Sequence, residues 1–256
     1  MLDTYYKKFF AQEYAVIKGG ERKQVWEWIK EKRLTACPCF VGNKYKESPL
    51  RLMVVGRAVN GWEVDADQCT SLENTLDVIL HQKDRFEDVV KVEGVPYIHP
   101  ETNENKVYHY STSRFWRLIQ YVLEEAGEGT NFHQKIVWSN LYKVAPYVTG
   151  NPSWRLVKPN MQTYIDCLVE EIHTYTPTHI LFVTGMDYLN PWAKEPQFGA
   201  QLGVGKNNQT QFEDRQYESG IFGNAKIVVC GRPEGKSYEG IRTMAREILQ
   251  EFRKLD

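Results

Sequence analysis

Short apolar runs recur along this chain, each closed by a polar residue or a glycine, with helically periodic segments between them. Leu52-Met-Val-Val55 ends at Gly56, Ile136-Val-Trp138 at Ser139-Asn140, His179-Ile-Leu-Phe-Val183 at Gly185, and Ile227-Val-Val-Cys230 at Gly231. Runs this short, rich in β-formers and stopped by a turn residue, predict strands buried on both faces of a parallel sheet. Phe115, Leu118, Ile119, Val122, Leu123 and Ala126 fall on one helix face, with Ser113 placed as N-cap and Gly127 as C-cap. Met161, Tyr164, Ile165, Leu168, Val169 and Ile172 form a second stripe, and Ile241, Met244, Ala245, Ile248, Leu249 and Phe252 a third. Residues about 3–15 and 21–33 read as N-terminal helices. Strands alternating with helices predict an α/β fold, a three-layer α/β/α sandwich around a central, mainly parallel sheet of about four strands. Residues about 86–110 and 203–223 break the alternation. Within them Val95 to Tyr110 and Thr210 to Phe222 predict hairpins or long loops, inserted into a single domain spanning residues 1–256.

In open parallel sheets ligands bind beyond the carboxyl ends of the strands, where the connecting loops diverge. That places the chemistry in Gly56–Trp62, Ser139–Pro146, Gly185–Asp187 and Gly231–Ser237. The Asn140 side chain carries both a donor and an acceptor. It can read an amide-like edge such as that of a pyrimidine, or tighten a turn by bonding its own backbone. Gly231-Arg-Pro-Glu-Gly-Lys-Ser237 brings Arg232 and Lys236 to the start of a helix that Ser237 can cap, which is either a phosphate site or an ordinary turn with solvated charges. Gly203-Val-Gly-Lys206 is not a P-loop, because the first glycine is misplaced and Asn207 stands where a Ser or Thr is needed. The six histidines have no compact ligand spacing, and no Gly-x-Ser-x-Gly elbow is present, which argues against zinc hydrolases and serine esterases.

The length of 256 residues suits one large domain or two small ones. Lys and Arg number 32 against 33 Asp and Glu, and a net charge of −1 excludes a protein that coats nucleic acid non-specifically. The average hides a local asymmetry. Residues 129–165 contain no Asp or Glu but hold Lys135, Lys143, Arg155 and Lys158, interleaved with Phe132, Trp138, Tyr142, Tyr147, Trp154 and Tyr164. Cations among aromatic platforms suit single-stranded or distorted nucleic acid; an evenly solvated face is the plain alternative. The five cysteines are an odd set without secreted-type spacing, Met1 to Lys8 lacks the apolar core of a signal peptide, and no apolar run approaches the roughly 20 residues of a membrane helix. A cytoplasmic monomer with reduced thiols and no membrane contact is expected.

Taken in chain order, these segments resemble the uracil-DNA glycosylase superfamily, most closely its iron–sulfur class, with degenerate motifs. Ser139-Asn-Leu-Tyr-Lys-Val-Ala-Pro146, Cys167-Leu-Val-Glu-Glu-Ile172 and Pro177-Thr-His-Ile-Leu-Phe-Val-Thr-Gly185 are similar to that class's run of strand, Thr-Asn, Lys-Cys-x-Pro, Cys-bearing helix, then Pro and a strand ending in Gly. Cys37-Pro-Cys39 before Leu52–Gly56 resembles its cysteine pair ahead of the first motif. Ser113-Arg-Phe-Trp116 is similar to the Phe-Trp helix of the mismatch-specific glycosylases. The resemblance covers about residues 35–250 and implies a glycosylase-like core at about 50–254.

Such enzymes extrude a base from DNA, hold it by an Asn edge and an aromatic stack, and cleave its glycosidic bond in base excision. By this resemblance Gly56, Arg57, Ala58, Trp62, Asn140, Gly185 and Pro233 line the pocket, with Asn140 reading the base and Trp62 stacking on it. Asn60 is the first choice to position water, with Glu63 and Asp65 as others, and Arg232 would stabilise charge on the departing base. Lys143, Arg155, Lys158, Gly235, Lys236 and Ser237 would contact phosphates. The chain departs from the family pattern at decisive places. Arg57 stands where the iron–sulfur class has its acid, and an arginine cannot act as a general base. Ala58 stands where the mismatch-specific class has an Asn, and Arg232 where the family has a His. Val144 replaces a cluster cysteine and leaves only Cys37, Cys39 and Cys167, so no iron–sulfur centre, other metal or cofactor is expected. Two readings follow. One is a divergent glycosylase that binds and excises a nucleobase in single-stranded or damaged DNA. The alternative is a non-catalytic module of the same fold that binds a free nucleotide or nucleic acid. An unrelated α/β hydrolase would need a nucleophile–base pair, and the sequence displays none.

Overall fold

A computed structural model of the chain describes residues 2–15, 20–59, 64–81, 95–98, 104–108, 112–129, 131–147, 151–185, 187, 209–212 and 215–256. The N-terminal segment forms helix α1 (Leu2–Phe10), a small antiparallel pair of β1 (Glu13–Ala15) and β2 (Arg22–Gln24), and the short helix α2 (Val25–Lys30). This corrects the two longer helices expected there. Tyr6, Phe9 and Phe10 bury from the helix, but Tyr14 reaches the same core from extended backbone, held by the Trp28 Nε1–H donating to its carbonyl at 2.8 Å. At the far end Lys32 takes a positive φ of 57°, which no helix continues.

The remainder runs β3 (Leu34–Ala36), β4 (Phe40–Val41), β5 (Leu52–Gly56), α3 (Leu72–His81), β6 (Val95–Ile98), β7 (Asn105–Tyr108), α4 (Arg114–Glu125), β8 (Ile136–Asn140), β9 (Val144–Pro146), α5 (Trp154–Val157), α6 (Met161–Tyr175), β10 (His179–Val183), β11 (Gln209–Phe212), β12 (Arg215–Phe222), β13 (Ala225–Cys230) and α7 (Tyr238–Arg253). Strands β8, β5, β10 and β13, the four apolar runs of the sequence, lie side by side in that order and are all parallel. The sheet is wider than expected, with seven strands. β4 joins antiparallel beside β8, and the β11–β12 hairpin extends the opposite edge beyond β13. The segment expected as an inserted hairpin around Thr210–Phe222 is thus part of the main sheet, because Ser219 to Phe222 pair directly with β13. β6 and β7 pair as a separate hairpin, as expected for Val95 onward.

Successive strand residues point to opposite faces, and each face is sealed by its own helices. Met53, Val55, Val137, Ile180, Phe182, Ile227 and Val229 pack with α1, α2, α3 and α6. Leu52, Val54, Ile136, Trp138, Leu181, Val183, Val228 and Cys230 pack with α4 and α7. The result is the helix–sheet–helix layering that the periodicity predicts. Helix α4 is capped as read: the Ser113 side chain accepts the Trp116 N–H, and Gly127 takes φ 81° while the Glu128 N–H reaches back to the Leu123 carbonyl at 2.8 Å. Among the described residues no helix is long and apolar enough to cross a membrane.

Phe182 is fully buried at the middle of β10. Phe182→Ala is expected to cost about 3–5 kcal/mol, read as a lowered midpoint in denaturant unfolding.

Candidate functional site

The parallel strands run β8, β5, β10, β13 across the sheet, so the chain leaves β5 in one direction toward β8 and later returns on its other side to β10. That reversal opens a crevice at the carboxyl ends of β5 and β10. The structure brings the ends of all four strands together there. The Leu141 N–H donates to the Gly56 carbonyl and the Tyr142 N–H to the Arg57 carbonyl, each at 2.9 Å, which ties the loop after β8 to the loop after β5. Arg57 Nε–H donates across the crevice to the Thr184 carbonyl at 2.7 Å. The Gly185 N–H donates to the Cys230 carbonyl at 2.8 Å, adding β13.

Asn140 is the last residue of β8 and pairs with Gly56 on β5. The two approach so closely that a Cβ at Gly56 would lie 2.6 Å from Asn140 Oδ1 and 3.6 Å from the Phe115 ring. A Cβ there would have to displace the Asn140 amide, which packs directly over the Gly56 backbone with the Phe115 ring beside it. Asn140 is 2% exposed, and among the described residues its buried Nδ2 amide has no hydrogen-bond partner. Its amide is not spent on tightening a turn, which was the plain alternative. An unpaired buried N–H of this kind costs about 1–3 kcal/mol unless something accepts from it.

Beneath Asn140 lies a buried polar network. Lys143 and Glu171 are 1% and 0% exposed and form an ion pair at 2.8 Å. Lys143 Nζ also donates to the Ser139 hydroxyl at 2.7 Å and to the Asn140 backbone carbonyl at 2.8 Å, which uses all three of its N–H groups. Glu171 accepts from Ser139 at 2.5 Å through one oxygen and from the Tyr6 hydroxyl through the other. Tyr6 in turn accepts the Cys39 N–H at 2.8 Å. Burial, with the Glu171 charge beside it, pushes the Tyr6 hydroxyl well above its ordinary range and keeps it a donor.

This geometry corrects the reading of Lys143 as a phosphate contact: its ammonium is interior and committed to Asn140, Ser139 and Glu171. Arg57 crosses the crevice as a structural tie, where the resemblance would place an acid. Ala58 is half-buried against the apolar cores of both layers. Asn60, Trp62 and Glu63 lie outside the described residues. Arg232 is half-exposed and paired with Glu234. Pro233 is buried, and the Lys236 N–H bonds its carbonyl at 3.2 Å in a turn where Gly235 takes φ 79°. Ser237 caps α7 by accepting the Gly240 N–H at 3.1 Å. Arg155 and Lys158 are exposed on and after α5, beside Trp154 at 49% exposure, whereas Phe132, Trp138, Tyr142 and Tyr164 of the same aromatic-rich stretch are core. Cys37, Cys39 and Cys167 are all buried. Burial pushes their thiols up, that of Cys167 to about 12. Among the described residues no three His, Cys, Asp or Glu side chains gather as a metal site.

Phe115 and Glu171 were not singled out from sequence as site residues. Glu171 carried a legible signal, an acid three residues after Leu168 on the buried side of a helix. Phe115 reads from sequence as the first apolar position of its stripe, and only the close approach of Gly56 marks it as a wall. The fold defines an α/β/α protein with a buried asparagine amide, unpartnered among the described residues, at the carboxyl edge of its sheet. No family model matches the chain, and no curated protein matches it.

Lys143→Met strands the Glu171 charge in the interior and is expected to cost about 3–5 kcal/mol. The double variant Lys143→Met with Glu171→Gln removes both charges, keeps an amide against Tyr6 and Ser139, and should recover most of that loss. Denaturant melts of the single and double variants measure the coupling.

Proposed function

We propose that this chain is a divergent uracil-DNA-glycosylase-like protein that holds a nucleobase of single-stranded or damaged DNA at the carboxyl edge of its parallel sheet. The observation that carries this reading is the buried, unpartnered amide of Asn140, set over Gly56 and beside the Phe115 ring. An amide with one donor and one acceptor complements the O4 and N3–H edge of uracil, and an aromatic wall suits the face of the base. On this reading Phe115 is an aromatic neighbour of the base, in addition to Trp62. The helix–sheet–helix layering and the order of the matched segments agree with the resemblance.

One feature favours the alternative, a module that holds a base or a free nucleotide without cleaving it. Arg57 is a permanent cation tied to the Thr184 carbonyl, so it neither takes a proton from water nor positions one as a carboxylate would. Arg232, at the position of the expected His, shares its charge with Glu234. Excision therefore has to draw its water-holding group from Asn60, Glu63 or Asp65.

Binding of labelled single strands, identical except for one uracil or cytosine, tests the recognition. The wild type should prefer uracil. Asn140→Ala should lose that preference, a change of about 1–3 kcal/mol, and Asn140→Asp, which only accepts, should shift it toward the amino group of cytosine. Equal affinity for both strands in wild type and variants overturns the reading. Chromatography of the same mixtures for free uracil decides between excision and binding alone.

A further inference from the structure

Away from the crevice floor, helices α4 and α7 are joined by an alternating column of guanidinium groups and phenol rings. The Arg114 guanidinium lies 4.6 Å from the centre of the Tyr238 ring and that of Arg117 5.3 Å from it. Arg117 also lies 5.8 Å from the Tyr121 ring, and Arg242 lies 4.2 Å from it. The two ends of this column differ in chemistry. At one end Arg242 pairs with Glu124 and Glu125 at 3.2 and 2.9 Å, and Arg246 pairs with Glu125 at 3.1 Å, so carboxylates already take the charge. At the other end, among the described residues, no carboxylate lies within ion-pair distance of Arg114, and Tyr238 remains 49% exposed.

That second end places a cation where a helix disfavours one. Cations are unfavourable near helix N-termini, yet Arg114 opens α4, and the first turn of that helix holds no acid. Departures of this kind concentrate where a protein meets a ligand. The end also adjoins the crevice in the chain on both sides: Phe115, the wall beside Gly56, follows Arg114, and Tyr238 follows the Arg232–Ser237 turn. An exposed ring flanked by cations is complementary to a base or sugar face with its phosphates.

We propose that Arg114 and Tyr238 form a contact surface for single-stranded nucleic acid, with Tyr238 stacking on a nucleotide and Arg114 taking its phosphate. The inference rests on the nucleobase reading for its choice of partner, but its test does not use the crevice. The probe is a labelled oligo(dA) strand of about 12 nucleotides, within the site size of such platforms, titrated by fluorescence anisotropy at several salt concentrations. Tyr238→Ala is expected to bind roughly 5- to 150-fold more weakly. Arg114→Gln should reduce the salt slope by about 0.7. Arg246→Gln, at the carboxylate-paired end, should bind oligo(dA) as the wild type does, and circular dichroism checks that each variant is folded. Three results overturn the proposal: no oligo(dA) binding by the wild type, equal binding by wild type and Tyr238→Ala, or tighter binding of a poly-glutamate peptide than of oligo(dA). No uracil preference in the wild type, with Tyr238→Ala still weakening oligo(dA) binding, removes the nucleobase reading and leaves the strand contact standing; the reverse result does the opposite.

Discussion

Taking a lysine and a glutamate out of water costs several kcal/mol for each ion, and Lys143 and Glu171 offset this only because every polar atom they bring inside finds a partner. The partners come from four places in the chain. Tyr6 is on α1, Cys39 lies between β3 and β4, Ser139 and Asn140 end β8, and Glu171 is on α6. The pair therefore anchors the N-terminal helix and the long helix α6 to the same strand end. The peptide carbonyl of Asn140 is one of its acceptors, so the residue that faces the crevice is held from below by a charge it does not present.

Above that anchor the Asn140 amide packs where Gly56 lacks a side chain, with the Phe115 ring beside it. The supporting charges differ from those a hydrolase would place here: Arg57 is used to hold two loops together, and Arg232 is balanced by a neighbour. The seam of α4 and α7 adds a second polar surface, where Glu124 and Glu125 pair with Arg242 at one end and Tyr238 meets solvent beside Arg114 at the other.

How much of this was legible in the sequence varies with the distance over which the determining contacts act. The four parallel strands and helices α4, α6 and α7 were readable because apolar periodicity is a local property and each element buries a full face. Ser113, Gly127 and Ser237 were readable for the same reason, since caps act within one turn. The N-terminal helices were overestimated because Tyr14 is apolar at a position that suits either a helix or a strand, and only its contact with Trp28 decides. The antiparallel edge β4 depends on pairing with Trp138, a partner far off in the chain. Asn140 was legible from its place after a buried strand. Lys143 was misread because a cation among aromatics looks like a surface platform until Glu171, distant in sequence, is known to face it.

The bonds that tie together the four loops after β5, β8, β10 and β13 carry one more implication. Leu141, Tyr142, Gly185 and Arg57 continue inter-strand hydrogen bonding past the ends of the strands, so the described floor of the crevice is knit as firmly as the sheet below it. A ligand arriving there finds its donors and acceptors already oriented and has little conformational entropy of that floor to remove. Any selectivity this described floor exerts would come from its fixed shape.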